Sequence, residues 1–165
     1  MNTIFEEISR SIKELSKRIA KFETWEPAQA VAHHGAHAYL TSNVNSSIGA
    51  WYTVPFDAEL WDTSSIHAAG VFTAPVDGRY LCTTHIRFTT YAGTWNLRFL
   101  PNASSVNAML RVIDANYNGA LLTGTYNLSA GDTIQTQVYR TGSALALTGS
   151  AYYPYYCFTQ MELIS

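Results

Sequence analysis

Apolar residues in this chain follow two different periods. Phe5, Ile8, Ile12, Leu15, Ile19 and Phe22 recur at alternating intervals of three and four, which is the a/d stripe of three heptads. Little else on this stretch is apolar beyond Ile4 and Ala20. A helix lying on its own globule usually carries a wider stripe, so the pattern predicts a short self-associating coil. A helix that docks into a groove on a larger assembly fits the same stripe. Arg18 and Glu23 take a g position and the following e position, where opposite charges pair between helices. Pro27 stops the helix.

From Ala28 onward the period is two. The runs "WYTVPF", "RYLCTTHIRF", "TWNLRFL", "MLRVI", "TIQTQVY", "ALALT" and "YYCFTQMELI" are short and rich in β-branched or aromatic residues. Turns such as "PVDG", "NYNG" and "SAGD" separate them. No second helical pattern follows, so the expectation is an all-β antiparallel sandwich or barrel. In "RYLCTTHIRF", Tyr80, Cys82, Thr84, Ile86 and Phe88 share one face, and Leu81, Thr83, His85 and Arg87 share the other. The second set is neither core nor plain solvent surface and reads as an interface.

The 165 residues suffice for one domain with a core and a short appendage. We divide them into a stalk or anchor at 1–27 and a strand-rich head at 28–165. Only 13% of residues are charged, where about a quarter is ordinary. With eleven tyrosines and four tryptophans, that shortage suggests that other subunits cover part of the surface. A net charge of −2 provides no electrostatic footprint for nucleic acid or an anionic membrane. The N-terminus lacks the apolar run of a secretory signal, and no stretch is long enough to span a bilayer. Cys82 and Cys157 are too few and too far apart for a disulfide framework or zinc knuckle and are expected as buried thiols.

Three segments, in order, resemble the globular head of complement component one q and the wider tumour-necrosis-factor-like jelly rolls. The first holds a "TAP" turn leading into a strand, with Phe72, Thr73, Ala74, Pro75, Gly78, Tyr80 and His85 at the matching positions. The second is "YNLSAGDTIQTQVYRTG", matching at Leu128, Gly131, Asp132, Ile134 and Val138. The third is the closing strand, with Phe158 and Leu163 in register. Gln160 replaces the family's usual glycine there, and Cys82 stands where phenylalanine is common. The stretch "FDAELWDTSSIH" before the turn is most similar to bacteriophage and bacterial members. The resemblance implies a jelly roll of about ten strands, assembly as a homotrimer, and a non-catalytic role in binding, adhesion or particle building. Within "PVDG", Asp77 and Gly78 are expected to take backbone angles that most residues avoid.

No nucleophile motif, phosphate loop or zinc-type ligand spacing is present. Asp57, Glu59 and Asp62 are close enough in sequence to hold calcium or act on a glycan. The alternative is a solvated loop in which Asp62 caps a turn. His33, His34 and His37 bring three of the five histidines together. On a strand, His33 and His37 share a face opposite to His34. Around a threefold axis such residues pack as a polar seam, ligate a transition metal or act as a pH switch; no metal or other cofactor is assigned. The expected interface comprises His33, His37, Leu81, Thr83, His85, Arg87 and Phe158. Tyr91, Trp95, Tyr152, Tyr153 and Tyr155 are candidate ligand-binding aromatics, the alternative being a place in the seam.

The functional expectation is a non-enzymatic, homotrimeric bacteriophage protein. It would be made in the host cytoplasm without a signal peptide and displayed on the virion as a capsid fibre, a decoration or a tail attachment tip. Its partners would be its own copies, other virion proteins through the N-terminal helix, and a host-surface glycan or protein, with neither nucleic acid nor membrane insertion involved. The alternative is a free bacterial carbohydrate-binding trimer.

Overall fold

A computed structural model describes residues 7, 10–17, 33–45, 49–89, 94–105, 108–113, 119–140 and 146–165, with side chains at 109–113 left undescribed. The chain divides into two compact units, Met1–Ala32 and His33–Ser165. In the first, residues 10–17 are helical, and Ile12 and Leu15 are both more than half exposed.

The second unit is a sandwich of antiparallel sheets. A five-stranded sheet runs β10 (Gly119–Leu128), β7 (Gly78–Arg87), β13 (Phe158–Leu163), β1 (Gly35–Tyr39), β4 (Ala58–Asp62). A second sheet runs β5 (His67–Ala68), β6 (Val71–Thr73), β11 (Thr133–Arg140), β8 (Trp95–Pro101), β9 (Met109–Ile113), with β3 (Tyr52–Thr53) also paired to β11. A small third sheet joins β12 (Ala146–Leu147) to β2 (Val44–Asn45). The two-residue period dictates which side chains enter the core. On β7, Tyr80, Cys82, Thr84 and Ile86 are buried, while Leu81, Thr83, His85 and Arg87 on the other face are half-buried. Ala36, Ala38 and Met161 line the same inner face, opposite Leu97, Phe99, Ile134 and Val138 of the second sheet.

The core is not wholly apolar. The Thr84 hydroxyl donates to the Phe158 carbonyl at 2.8 Å, and the Thr159 hydroxyl donates to Thr84 at 2.8 Å. Thr159 has then spent its proton, so the 2.8 Å contact with Thr136 must run from Thr136 to Thr159. All three residues are fully buried, and this chain of hydroxyls crosses from β11 to β13 and β7.

Two turns carry glycines for different reasons. Gly131, in "SAGD", has φ +90, a region open to glycine without steric cost. Gly78 is not among the residues with positive φ, and neither is Asp77, which corrects the expectation for "PVDG". What Gly78 provides is space: a Cβ there would strike the Leu163 side chain and lie 2.9 Å from the Ser165 carbonyl. Asp77 accepts the Ala130 N–H at 2.8 Å, and Tyr80 donates to the Val76 carbonyl at 2.8 Å.

Candidate functional site

The five-stranded sheet turns a continuous row of side chains outward. Strand register places Thr123, Thr83, Gln160, His37 and Trp61 side by side across β10, β7, β13, β1 and β4. The next row is Leu121, His85, Phe158, Tyr39 and Ala58. His37 sits at the centre of an aromatic cluster. Its ring stacks on Phe158 at 4.8 Å, and Tyr155 and Trp61 close it in at 6.0 and 6.5 Å. His37 is only 4% exposed although its face points away from the core.

Hydrogen bonds fix this ring. The Gln160 amide donates from Nε2 to Glu162 at 2.6 Å, which turns its carbonyl oxygen toward His37 Nδ1 at 3.3 Å. Nδ1 is therefore the protonated nitrogen in the neutral ring. No hydrogen bond of good geometry reaches Nε2, although the Pro154 carbonyl lies beside the ring. Burial pulls the His37 pKa below its ordinary value, and this outweighs the opposing pull of Gln160, Pro154 and Glu162.

His33 precedes β1. It leans on Trp61 at 5.5 Å and lies 3.9 Å from Glu162, on the same side as His37. His34 turns the other way and meets the Ser64 hydroxyl at 2.7 Å. His85 Nδ1 donates to the Tyr155 carbonyl at 3.1 Å, tying the "YYPYY" loop to the sheet. Arg87 stacks over Tyr156 at 4.5 Å, and Tyr156 stacks on Tyr153 at 5.2 Å. The amides of Tyr152 and Tyr153 both donate to the Ser150 hydroxyl. The loop is thus tethered at several points, yet Tyr152 is 88% exposed and Tyr153 and Tyr155 are also largely exposed.

Trp95 departs from expectation. It opens β8 on the inward parity, is 1% exposed, and packs against Phe88 at 3.6 Å with the Arg140 guanidinium over it at 4.5 Å. It is a core residue and is unavailable to a ligand. Tyr91, Phe5, Ile8, Ile19 and Phe22 lie outside the described residues.

The acidic trio does not converge. Asp57 accepts from the Thr41 amide and hydroxyl. Asp62 accepts the N–H groups of Ser64, Ile66 and His67. Burial works to raise the Asp62 pKa, but those three donors outweigh it and hold the carboxyl below the usual range. Glu59 pairs instead with His67 at 2.9 Å, a partner that the sequence did not suggest. His67 Nε2 accepts the Gly70 N–H, so Nδ1 carries the proton toward Glu59. Among the described residues no three His, Cys, Asp or Glu side chains are grouped to hold a metal. Cys82 and Cys157 are buried and unpaired, and burial pushes both thiols up to about 12. Neither supplies a thiolate at neutral pH. No described helix is long and apolar enough to cross a membrane.

No protein-family model matches the chain, and no curated protein sequence matches it. Solved structures do. Murine APRIL at pH 8.0 superposes with a TM-score of 0.62 at 15% identity, covering 80% of this chain and 99% of that one. The globular domain of zebrafish complement 1qA superposes with a TM-score of 0.54 at 16% identity, covering 80% and 97%. Vertex protein P5 of phage PRD1 superposes with a TM-score of 0.59 at 11% identity, covering 81% and 96%. The fold is that of the tumour-necrosis-factor and complement-q jelly rolls, as the three sequence segments implied.

Proposed function

We propose that this protein is a non-enzymatic, homotrimeric surface component of a bacteriophage virion. Its copies associate through the outer face of the five-stranded sheet, and the helical segment within residues 1–27 anchors it to other virion proteins. The observation that carries the reading is the character of that face. Leu81, Thr83, His85, Arg87, Phe158 and His37 are already half-buried or buried in one chain, and an exposed leucine, Leu121, lies beside them. A surface so rich in aromatic and imidazole side chains matches the covered centre of a protein interface. The fold likeness to a phage vertex protein supports a place on a virion. The a/d stripe of Phe5, Ile8, Ile12, Leu15, Ile19 and Phe22 supports a coiled stalk. Tyr152, Tyr153 and Tyr155, exposed on a tethered loop, suit contact with a host surface as a capsid fibre, decoration or tail tip.

Light scattering of the purified chain should return three chain masses of 18.3 kDa each. A single chain mass at micromolar concentration overturns the trimer. Antibody against the head should label intact virions in electron micrographs. Labelling confined to the unassembled lysate fraction overturns the virion role.

A further inference from the structure

The opposite face of the sandwich carries an arrangement that assembly does not require. On the outer side of the second sheet, register sets Arg98 of β8, Gln137 of β11 and Thr53 of β3 in one row. Arg98 Nε and Nη2 both donate to Gln137 Oε1, at 2.9 and 2.7 Å. Gln137 is in turn held by its own amide, which donates to the Thr53 hydroxyl at 2.9 Å. The Arg98 guanidinium lies over the Trp51 ring, 3.8 Å from its centroid, and Tyr139 supports that ring at 5.5 Å. The guanidinium is therefore oriented on one face by an indole and along one edge by an amide. Its Nη1–Nη2 edge keeps a parallel pair of N–H donors, the fork that matches a carboxylate.

Among the described residues, no carboxylate pairs with this cation. The ion pairs among the described residues join Lys17 to Glu14, His33 to Glu162 and His67 to Glu59, and none involves Arg98. Gln137, which accepts both of its bonded donors, is neutral. Partial burial of an unpaired cation is a cost that a leucine would avoid while still covering Trp51. An anionic ligand removes that cost.

We propose that the outer face of the second sheet binds a carboxylate-bearing saccharide, with Arg98 receiving the carboxylate and Trp51 and Gln137 holding it in position. The surroundings favour a sugar over a peptide. Asn96, Gln135 and Thr53 present amides and a hydroxyl on the same face, suited to a ring bearing many hydroxyl groups. β11 and β8 are both paired on each side, so no strand edge is open there for a peptide to extend. Among the described side chains of this outer face Arg98 is the one Arg or Lys, and its single charge suits a carboxylate better than a phosphate. The inference stands on residues separate from the assembly face and concerns the purified protein, whatever particle it belongs to.

The test is titration of the full-length chain with sialyllactose and with a glucuronic acid disaccharide, followed by nitrogen-15 NMR and calorimetry. Saturable binding of either sugar is expected, with the Arg98 Nε–H and Gln137 side-chain amide signals shifting. Reducing the carboxylate to the alcohol should weaken binding at least tenfold, and so should Arg98→Gln. Arg98→Lys keeps the charge, loses the fork, and should also weaken it several-fold. Absence of saturation by both sugars overturns the proposal. Equal binding of the carboxyl-reduced sugar, or tighter binding of a sulfated lactose or of an acidic peptide, overturns it as well. Should Arg98→Gln fail to fold, the Arg98 Nε–H shift in the unaltered protein decides: movement with the acidic sugar and none with its reduced form upholds the site, and any other pattern rejects it.

Discussion

The two outward faces of this sandwich are built from the same period-two pattern and have opposite chemistry. Outside the five-stranded sheet, Trp61, His37, Phe158, His85 and Leu121 form an aromatic and imidazole surface. Outside the second sheet, Arg98, Gln137, Gln135 and Thr53 form a ladder of hydrogen-bonded polar groups. Polar groups that satisfy one another along a face are stable in contact with water. Clustered rings are better served by burial against another chain. The contrast agrees with the proposed roles, protein contact for the first face and small polar ligands for the second.

The sharpest way to break the comparison is a charge on the first face. Phe158→Asp should convert the proposed trimer to monomer at micromolar concentration, because each interface on this face would bury an unpaired carboxylate. Arg98→Gln on the second face should leave the mass unchanged. Light scattering on both variants, with circular dichroism to confirm the fold, checks the pair. Equal loss of mass in both would erase the distinction between the faces.

The next effect falls between the faces. Thr159→Val keeps the shape of the side chain but leaves the Thr136 hydroxyl buried with no acceptor in Thr159 and removes a donor to Thr84. A loss of about 1–3 kcal/mol in unfolding free energy is expected, read by denaturant titration. The triple change of Thr84, Thr136 and Thr159 to Val should cost less than the sum of the single changes, because no orphan hydroxyl remains.

Acid should act on the first face. The folded His37 pKa lies below its unfolded value, so the unfolded chain takes up the proton more readily. Stability from this group is complete well above about pH 6.5, the ordinary histidine value, and is lost as pH falls through that value toward the folded pKa. His37→Asn should flatten this part of the slope in thermal melts from pH 7.5 to 5. A chelator at pH 7 should leave the proposed trimer intact if the histidines pack without a metal.

The smallest effect belongs to the helix. Ile12 and Leu15 are more than half exposed, so Ile12→Asp with Leu15→Asp should shift unfolding of the head by no more than about 0.5 kcal/mol. Loss of the β-sheet signal in this variant would make the helix part of the head.

How much of this was legible beforehand follows from range. The faces of β7 could be read from "RYLCTTHIRF" alone, since alternation is a local property and the strand is ten residues long. The jelly roll was legible through three segments that keep their order and turn chemistry. The opposite sides of His33 and His34 followed from parity as well. Trp95 was not legible. It follows a turn-like run, and only its pairing with Arg140 across β11 and β8 settles that it faces the core. Gly78 looked like a residue chosen for its backbone angle, whereas the need comes from Leu163 and Ser165, more than eighty positions away.

By itself, then, the sequence determined local matters: the change of its apolar pattern from a helical to a strand period near residue 28, the alternation within each strand, and the turns between them. These depend on neighbours a few residues apart, where periodicity and side-chain sterics decide. The tertiary structure decided which faces meet which. Arg98 of β8 meets both Gln137 of β11 and Trp51, which lies just before β3, only because β3 and β8 flank β11 in a particular register. A shift of one residue in either pairing would turn Arg98 or Thr53 toward the core, and that register is held by burial of Leu97, Val138 and their neighbours on the inner face.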